Sequence, residues 1–127
     1  MTDRAQEPHF LGSASIDSYG NGGFRFADMS HRGSLLCLPT GIWAWPVQRP
    51  DQIDEASLKP IFAAADVIDF LIVGAGRTGW IAPEPLRWRL RDLRIGLDIM
   101  PTASAIRTYN VLHGERRRVA AALIAVD

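Results

Sequence analysis

The residues whose spacing most suggests chemistry are Gly74, Gly76 and Gly79, in the run Gly-Ala-Gly-Arg-Thr-Gly that follows the apolar segment 67–73. Glycines so placed after a strand form the fingerprint of dinucleotide-binding folds. They make a tight turn, let the backbone approach a pyrophosphate, and open a helix whose first N–H groups face the phosphates. Asp98 lies 19 residues past Gly79, close to where an acid would hold a ribose hydroxyl. Three features oppose that chemistry. Residues 80–85, with Pro83 and Pro85, stand between the last glycine and any helix. Asp98 sits inside the short apolar run 96–100 rather than at its end. A chain of 127 residues is too short for the two mononucleotide halves of such a fold. The plainer reading is a tight strand-to-helix turn made possible by glycine's freedom at positive φ.

A different site is available at the same place. Parallel α/β folds hold ligands outside the carboxyl ends of their strands, and the Gly74 loop and the Met100-Pro101-Thr102 junction both belong at that edge. A helix beginning at Thr102 offers backbone N–H groups to an anion or carboxylate. The candidate ligand-binding residues are therefore Gly74, Gly76 and Thr102, with Arg107 and Asn110 reaching over a pocket from the same helix. The competing reading of Arg107 and Asn110 is a solvated helix face.

The segment 87–94 reads Arg-Trp-Arg-Leu-Arg-Asp-Leu-Arg. Arg87, Arg91 and Arg94 recur at i, i+4 and i+7, while Trp88 points away from the Leu86, Leu90 and Leu93 stripe. Tryptophan beside arginine on an exposed face is typical of interface hot spots. Arg87, Trp88 and Arg91 are thus the candidate partner surface. The alternative is that Trp88 folds back onto a strand and the arginines solvate the helix. Exposure of two of the four tryptophans would favour a partner.

Little else carries chemistry. His9, His31 and His113 have no metal-ligand spacing, so no metal is expected. Ser34, Ser57 and Ser104 lack a nucleophile elbow. Cys37, the single cysteine, lies in an apolar run, where it behaves as a small hydrophobe and cannot form an internal disulfide. No catalytic set and no cofactor are expected. Fourteen basic and 14 acidic residues give no net charge, and thus no global attraction to nucleic acid. No apolar run approaches the roughly 20 residues of a membrane span, and the N-terminus lacks an apolar signal region. A cytoplasmic protein is expected.

These residues must be positioned by a fold, and its elements follow from the pattern. Residues 1–8 read as a polar, disordered tail and 9–127 as one domain. Segments 9–19 and 24–26 flank Gly20-Asn21-Gly22-Gly23 as a hairpin. Residues 28–33 read as a polar turn, 33–38 as a buried strand and 42–45 as another. A helix starts near Ser57 with Pro60 in its first turn and Leu58, Ile61, Phe62 and Ala65 on one face. Strand 67–73 follows, then a helix from Pro83 or Pro85 to about Arg94, and strand 96–100. A helix N-capped by Thr102 and stopped by Gly114 leads to strand 119–126. The second half alternates strand and helix, which implies parallel pairing. The expected fold class is α/β, with three layers. Helices pack on a mixed central sheet, and the N-terminal strands form a hairpin or small second sheet.

With Val-Gly-Ala-Gly at 73–76, Met-Pro-Thr-Ala-Ser-Ala-Ile-Arg-Thr-Tyr-Asn-Val-Leu at 100–112 and Glu-Arg-Arg-Arg-Val-Ala-Ala-Ala-Leu-Ile at 115–124, the chain resembles the Mth-domain family. This is a family of small proteins of unknown function that includes a mitochondrial respiratory complex I assembly factor. Ile16-Asp-Ser-Tyr-Gly and the Trp43 to Pro46 segment fit as well, so the resemblance covers about residues 16–124. Its most specific part is Thr102, Ala103, Ala105, Arg107, Thr108, Tyr109 and Asn110. The resemblance implies a three-layer α/β fold and a role in the biogenesis of a respiratory membrane complex. It brings no catalytic residues and no cofactor, and the chain looks like a bacterial member. The expected function is that of a non-enzymatic accessory protein that binds another protein, a component of such a complex. The alternative is a small-ligand or anion-binding protein, or a cryptic enzyme, with its pocket between the Gly74–Gly76 loop and the Thr102 helix start.

Overall fold

The computed structural model describes residues 10–127; the expected tail 1–8 and His9 lie outside the described residues. Among the described residues, nine strands form two sheets. The larger has six strands in the order β1-β6-β5-β9-β7-β8. These are β1 (Phe10–Leu11), β5 (Ser34–Leu38), β6 (Gly41–Trp45), β7 (Phe70–Gly74), β8 (Gly96–Met100) and β9 (Val119–Leu123). Pairing is antiparallel from β1 to β9 and parallel from β9 through β7 to β8, so the sheet is mixed. The smaller sheet is β2 (Ser18–Gly20), β3 (Gly23–Phe26) and β4 (Met29–Arg32), all antiparallel.

Every residue of β5 and β9 is buried, as central strands covered on both faces require. Alternate side chains divide into two cores. Leu36, Leu38, Leu71, Val73, Ala120 and Ala122 face one way. There they meet Leu58 and Ile61 of helix α1 (Lys59–Ala63) and Leu86 and Leu90 of α2 (Glu84–Asp92). Leu35, Cys37, Ile72, Val119, Ala121 and Leu123 face the other way. They pack against Ala105, Ile106 and Tyr109 of α3 (Thr102–Gly114) and against Phe24 and Phe26 of the small sheet. The expected three layers are present, with the small sheet sharing a layer with α3.

Several boundaries differ from the sequence reading. The single strand expected over 9–19 divides: Phe10 and Leu11 pair with β6, whereas Ser18 to Gly20 start the small sheet. Within the polar segment 28–33, expected as a turn, Met29–Arg32 is a strand. Ala27 and Asp28 take φ of 47° and 61°, the geometry of a two-residue hairpin turn, so Met29 already pairs with Phe26. Ala65–Val67 is a 3-10 turn, and β7 begins only at Phe70, where the Asp69 N–H reaches the Arg118 carbonyl. Pro60 lies in the first turn of α1, and Pro85 in that of α2, as their missing N–H groups require.

Candidate functional site

The carboxyl ends of β7 and β8 meet at the Gly74 loop. The helices that follow them, α2 and α3, lie on opposite faces of the sheet, which places a crevice of the ligand-binding type between the two strand ends. That crevice is closed from within. Gly74 is buried, and a Cβ there would stand 3.0 Å from Ala105 Cβ, Leu123 Cδ2 and Thr102 Cα. Only glycine lets the start of α3 approach the strand so closely. Gly76 turns the chain at φ +80°, and its carbonyl accepts the Thr102 N–H at 3.0 Å. The Ala75 N–H donates to the Met100 carbonyl at 2.9 Å.

Thr102 is the centre of this closure and corrects the sequence reading. It is not the N-cap of α3, a position held by Pro101, but the first residue of the helix, and it is fully buried. Its Oγ1 accepts the Gly76 N–H at 3.0 Å and donates to the Ile124 carbonyl at 2.7 Å. One hydroxyl therefore ties together the ends of β7, β8 and β9. The backbone and side-chain groups proposed to hold an anion are bonded to one another instead.

The remaining candidates do not converge there. Asn110 lies two turns further along α3, about 12 Å away at 1.5 Å per residue. Its Oδ1 accepts the Ile16 N–H and its Nδ2 donates to the Ile16 carbonyl, each at 2.9 Å. Tyr109 donates to the Ala14 carbonyl at 2.8 Å, and His113 Nε2 sits 3.0 Å from Ser13 Oγ. This face of α3 thus staples segment 13–16, which leads into the small sheet. Arg107 points to solvent, with Ser104 Oγ at 3.3 Å. Most of the chain's most specific motif therefore positions other segments. Thr102 latches the strand ends, Ala105 packs on Gly74, and Tyr109 and Asn110 clamp the connector.

Outside the closure, the edge opens into a broad, shallow depression of about 1170 Å³, lined among others by Gly76, Arg77, Trp80, Ile81, Arg49 and Val126. Its two arginines are already engaged, Arg77 with the Asp127 carbonyl at 2.9 Å and Arg49 with Asp51 at 3.3 Å. Among the described residues, no group of three or more His, Cys, Asp or Glu could hold a metal. Burial pushes the Cys37 thiol up to about 12, so it is protonated and inert at neutral pH.

The candidate partner surface is organised differently. On α2, Trp88 is 53% exposed, and the Arg91 guanidinium lies 5.0 Å from its ring centroid. Arg87 is exposed beside them. Arg89 faces α1 instead, over the Phe62 ring at 4.9 Å and paired with Glu55 at 3.0 Å. Trp45 is buried, donating its indole N–H to the Ser57 carbonyl at 2.8 Å, and Trp43 and Trp80 are half-buried. One tryptophan is exposed where two were wanted, so the surface rests on Trp88 and its arginines alone.

Sequence reasoning missed two polar anchors. Ser34 is buried and its Oγ accepts the Ala125 N–H at 2.9 Å. Arg118 grips Asp69 with two bonds, at 2.7 and 3.2 Å, across the start of β7. The Arg118 hydrogen bonds hold the Asp69 carboxyl below its usual range. A serine opening an otherwise apolar run was a readable signal for the first. The second depends on strand order, which no local pattern carries.

Residues 16–124 match a family described as proteins of unknown function (DUF498/DUF598). The chain is 40% identical over 119 residues to an uncharacterised protein of Rhodobacter capsulatus, covering 94% of this chain and 90% of that one. It is 32% identical over 115 residues to the NADH dehydrogenase (ubiquinone) 1 alpha subcomplex assembly factor 3 of Drosophila melanogaster. That match covers 86% of this chain and 57% of the fly protein, so the chain spans little more than half of that relative. Among solved structures, it is similar to a Bartonella henselae protein described as an outer membrane protein, with a TM-score of 0.90, 47% identity, and 94% and 100% of the two chains covered. It is also similar to a Bordetella pertussis Mth938-like domain, with a TM-score of 0.77, 27% identity, and 87% and 85% covered. Among the described residues, no helix is long and apolar enough to cross a membrane.

Proposed function

The chain belongs to the DUF498/DUF598 family, and from that premise we propose that it is a non-enzymatic accessory protein that acts by binding another protein during assembly of a respiratory membrane complex. The observation that carries this reading is the α2 surface, where an exposed Trp88 is held in place by Arg91 with Arg87 alongside. An aromatic ring fixed by a cation on a solvated helix loses little freedom on docking and offers both apolar area and charge. The similarity to a protein named as an assembly factor of NADH dehydrogenase supports a component of a respiratory complex as the partner. In this reading the protein works from the cytoplasm, on the aqueous side of the membrane.

The anion-binding alternative is less favoured. Thr102 and Gly76 bond to each other rather than to solvent, and Asn110 is committed to Ile16.

The test is affinity capture of the chain from its native cells, alongside Trp88→Ala. The expected result is that the unmodified chain enriches subunits of one respiratory complex and the variant loses them with its melting temperature unchanged. Recovery of no specific partner by the unmodified chain would overturn the reading.

A further inference from the structure

Strand β8 is the outer strand of the six-stranded sheet. Its pairing with β7 shows which of its backbone groups are used. The Gly96 N–H donates to the Asp69 carbonyl, and the Met100 carbonyl accepts the Ala75 N–H. Gly96, Asp98 and Met100 therefore turn their backbone groups inward. By the alternation of a strand, Leu97 and Ile99 turn theirs outward. Among the described residues, no hydrogen bond satisfies those outward groups. Such an edge accepts a further strand unless something blocks it, and β8 carries neither a proline nor a lysine.

The surroundings of this edge are charged in a patterned way. Between β8 and α2 runs a groove of about 510 Å³ whose lining includes Arg87, Arg91, Arg94, Leu90, Leu97 and Ile99, and no carboxylate. The Leu97 and Ile99 side chains are half-buried on this α2 face. The opposite face of the strand carries exposed Asp98 and the side chain of Met100. A strand added here would present alternate side chains to the two faces. One set would meet three arginines over an apolar floor, and the other a carboxylate and a thioether.

We propose that the β8 edge and the α2 arginines form a docking site for an extended segment of a partner protein with acidic residues at every second position and apolar or basic residues between. Backbone bonds to Leu97 and Ile99 supply affinity without sequence preference, and the two unlike faces supply the pattern. Arg91 joins this groove to the Trp88 surface, so the inference rests on the accessory-protein reading and states what that partner offers. A second copy of this chain is a poorer occupant, because edge-to-edge pairing brings two Arg87, Arg91 and Arg94 sets together.

The test selects peptides from a random display library against the full chain. Bound winners are then mapped by amide hydrogen exchange. Expected are peptides with acidic residues at alternate positions that slow exchange at the Leu97 and Ile99 amides. Ile99→Pro removes one outward donor, and its fold is checked by its melting temperature. Arg87→Glu/Arg91→Glu/Arg94→Glu keeps the backbone site and reverses the charge. Each variant should weaken the winners by about tenfold or more, and the triple variant should select basic peptides instead.

Winners without acidic bias, protection elsewhere on the chain, or equal binding by the triple variant would overturn the proposal. So would slowing of these amides by protein concentration alone, the sign of self-pairing. Native capture separates the two readings. A respiratory partner recovered equally by the unmodified chain and the triple variant leaves the accessory reading standing and removes this site. Recovery of no partner by the unmodified chain removes both.

Discussion

Replacing Thr102 by valine tests whether the carboxyl edge is held by hydrogen bonds or by shape. Valine fills nearly the same volume and exchanges the hydroxyl for a methyl, so packing against Gly74 and Ala105 is kept. Two groups lose their partner: the Gly76 N–H and the Ile124 carbonyl, bonded at 3.0 and 2.7 Å in a fully buried setting. Leaving a buried polar group unsatisfied costs about 1–3 kcal/mol, so the pair predicts a loss of about 2–6 kcal/mol. Serine makes the complementary change. It keeps the hydroxyl and removes one buried methyl, for about 1 kcal/mol. The expected order of stability is threonine, then serine, then valine. Urea unfolding followed by tryptophan fluorescence reads it as a shift in midpoint at constant slope, and about 2–6 kcal/mol corresponds to roughly a molar unit of urea or more. Hydrogen exchange adds a local readout, since the Gly76 amide should lose protection in the valine variant and keep it in the serine variant. A valine variant as stable as the serine variant, with its Gly76 amide still protected, would refute the latch.

Four further outcomes follow from the same geometry. Gly74→Ala places a methyl 3.0 Å from the Thr102 backbone, and overpacking there should cost about 1–3 kcal/mol in the same unfolding assay. Asn110→Ala removes both bonds to Ile16 and should cost about 1–3 kcal/mol, with faster exchange at the Ile16 amide. Cys37 should resist a thiol-specific disulfide reagent at neutral pH and react fully in denaturant. Because burial raises its thiol from 9.0 to about 12, its contribution to stability is intact below about pH 9 and is lost as pH rises toward 12. The Asp69 carboxyl is lowered by Arg118, so its share of stability is present above the ordinary carboxylate range and lost as pH falls through the lowered value. Asp69→Asn should flatten that acid-side dependence, and added salt should weaken it, since both side chains are exposed.

The second half of the fold was legible because its signals are local. Continuous apolar runs became β7, β8 and β9, and prolines at first helical turns marked α1 and α2. The small sheet was only half legible: Met29–Arg32 pairs with β3 although Ser30, His31 and Arg32 give no alternating apolar pattern. What forms that strand is the turn at Ala27 and Asp28 and the partner across it. The site residues divide in the same way. Gly76 and Thr102 were rightly placed side by side, because both stand at strand ends that parallel pairing brings together. Their role was misread, because an unpaired helix terminus and one already bonded to a loop look alike in sequence. Asn110 was misplaced because its partner, Ile16, lies 94 residues away.

Strand β9 occupies the middle of the large sheet, between β5 and β7, although it is the last strand in chain order. While the chain emerges from a ribosome, β5 and β6 can pair, and so can β7 and β8. Neither pair can join the other until residues 119–123 arrive. Until then the all-buried β5 and the apolar β7 each present an open edge, the kind of surface that invites wrong partners. Insertion of β9 closes both at once, and the Ile124 carbonyl then reaches Thr102. The two halves of the sheet thus join only through β9, so a product terminated before residue 119 holds two separate strand pairs and keeps the open β5 and β7 edges that the finished protein covers.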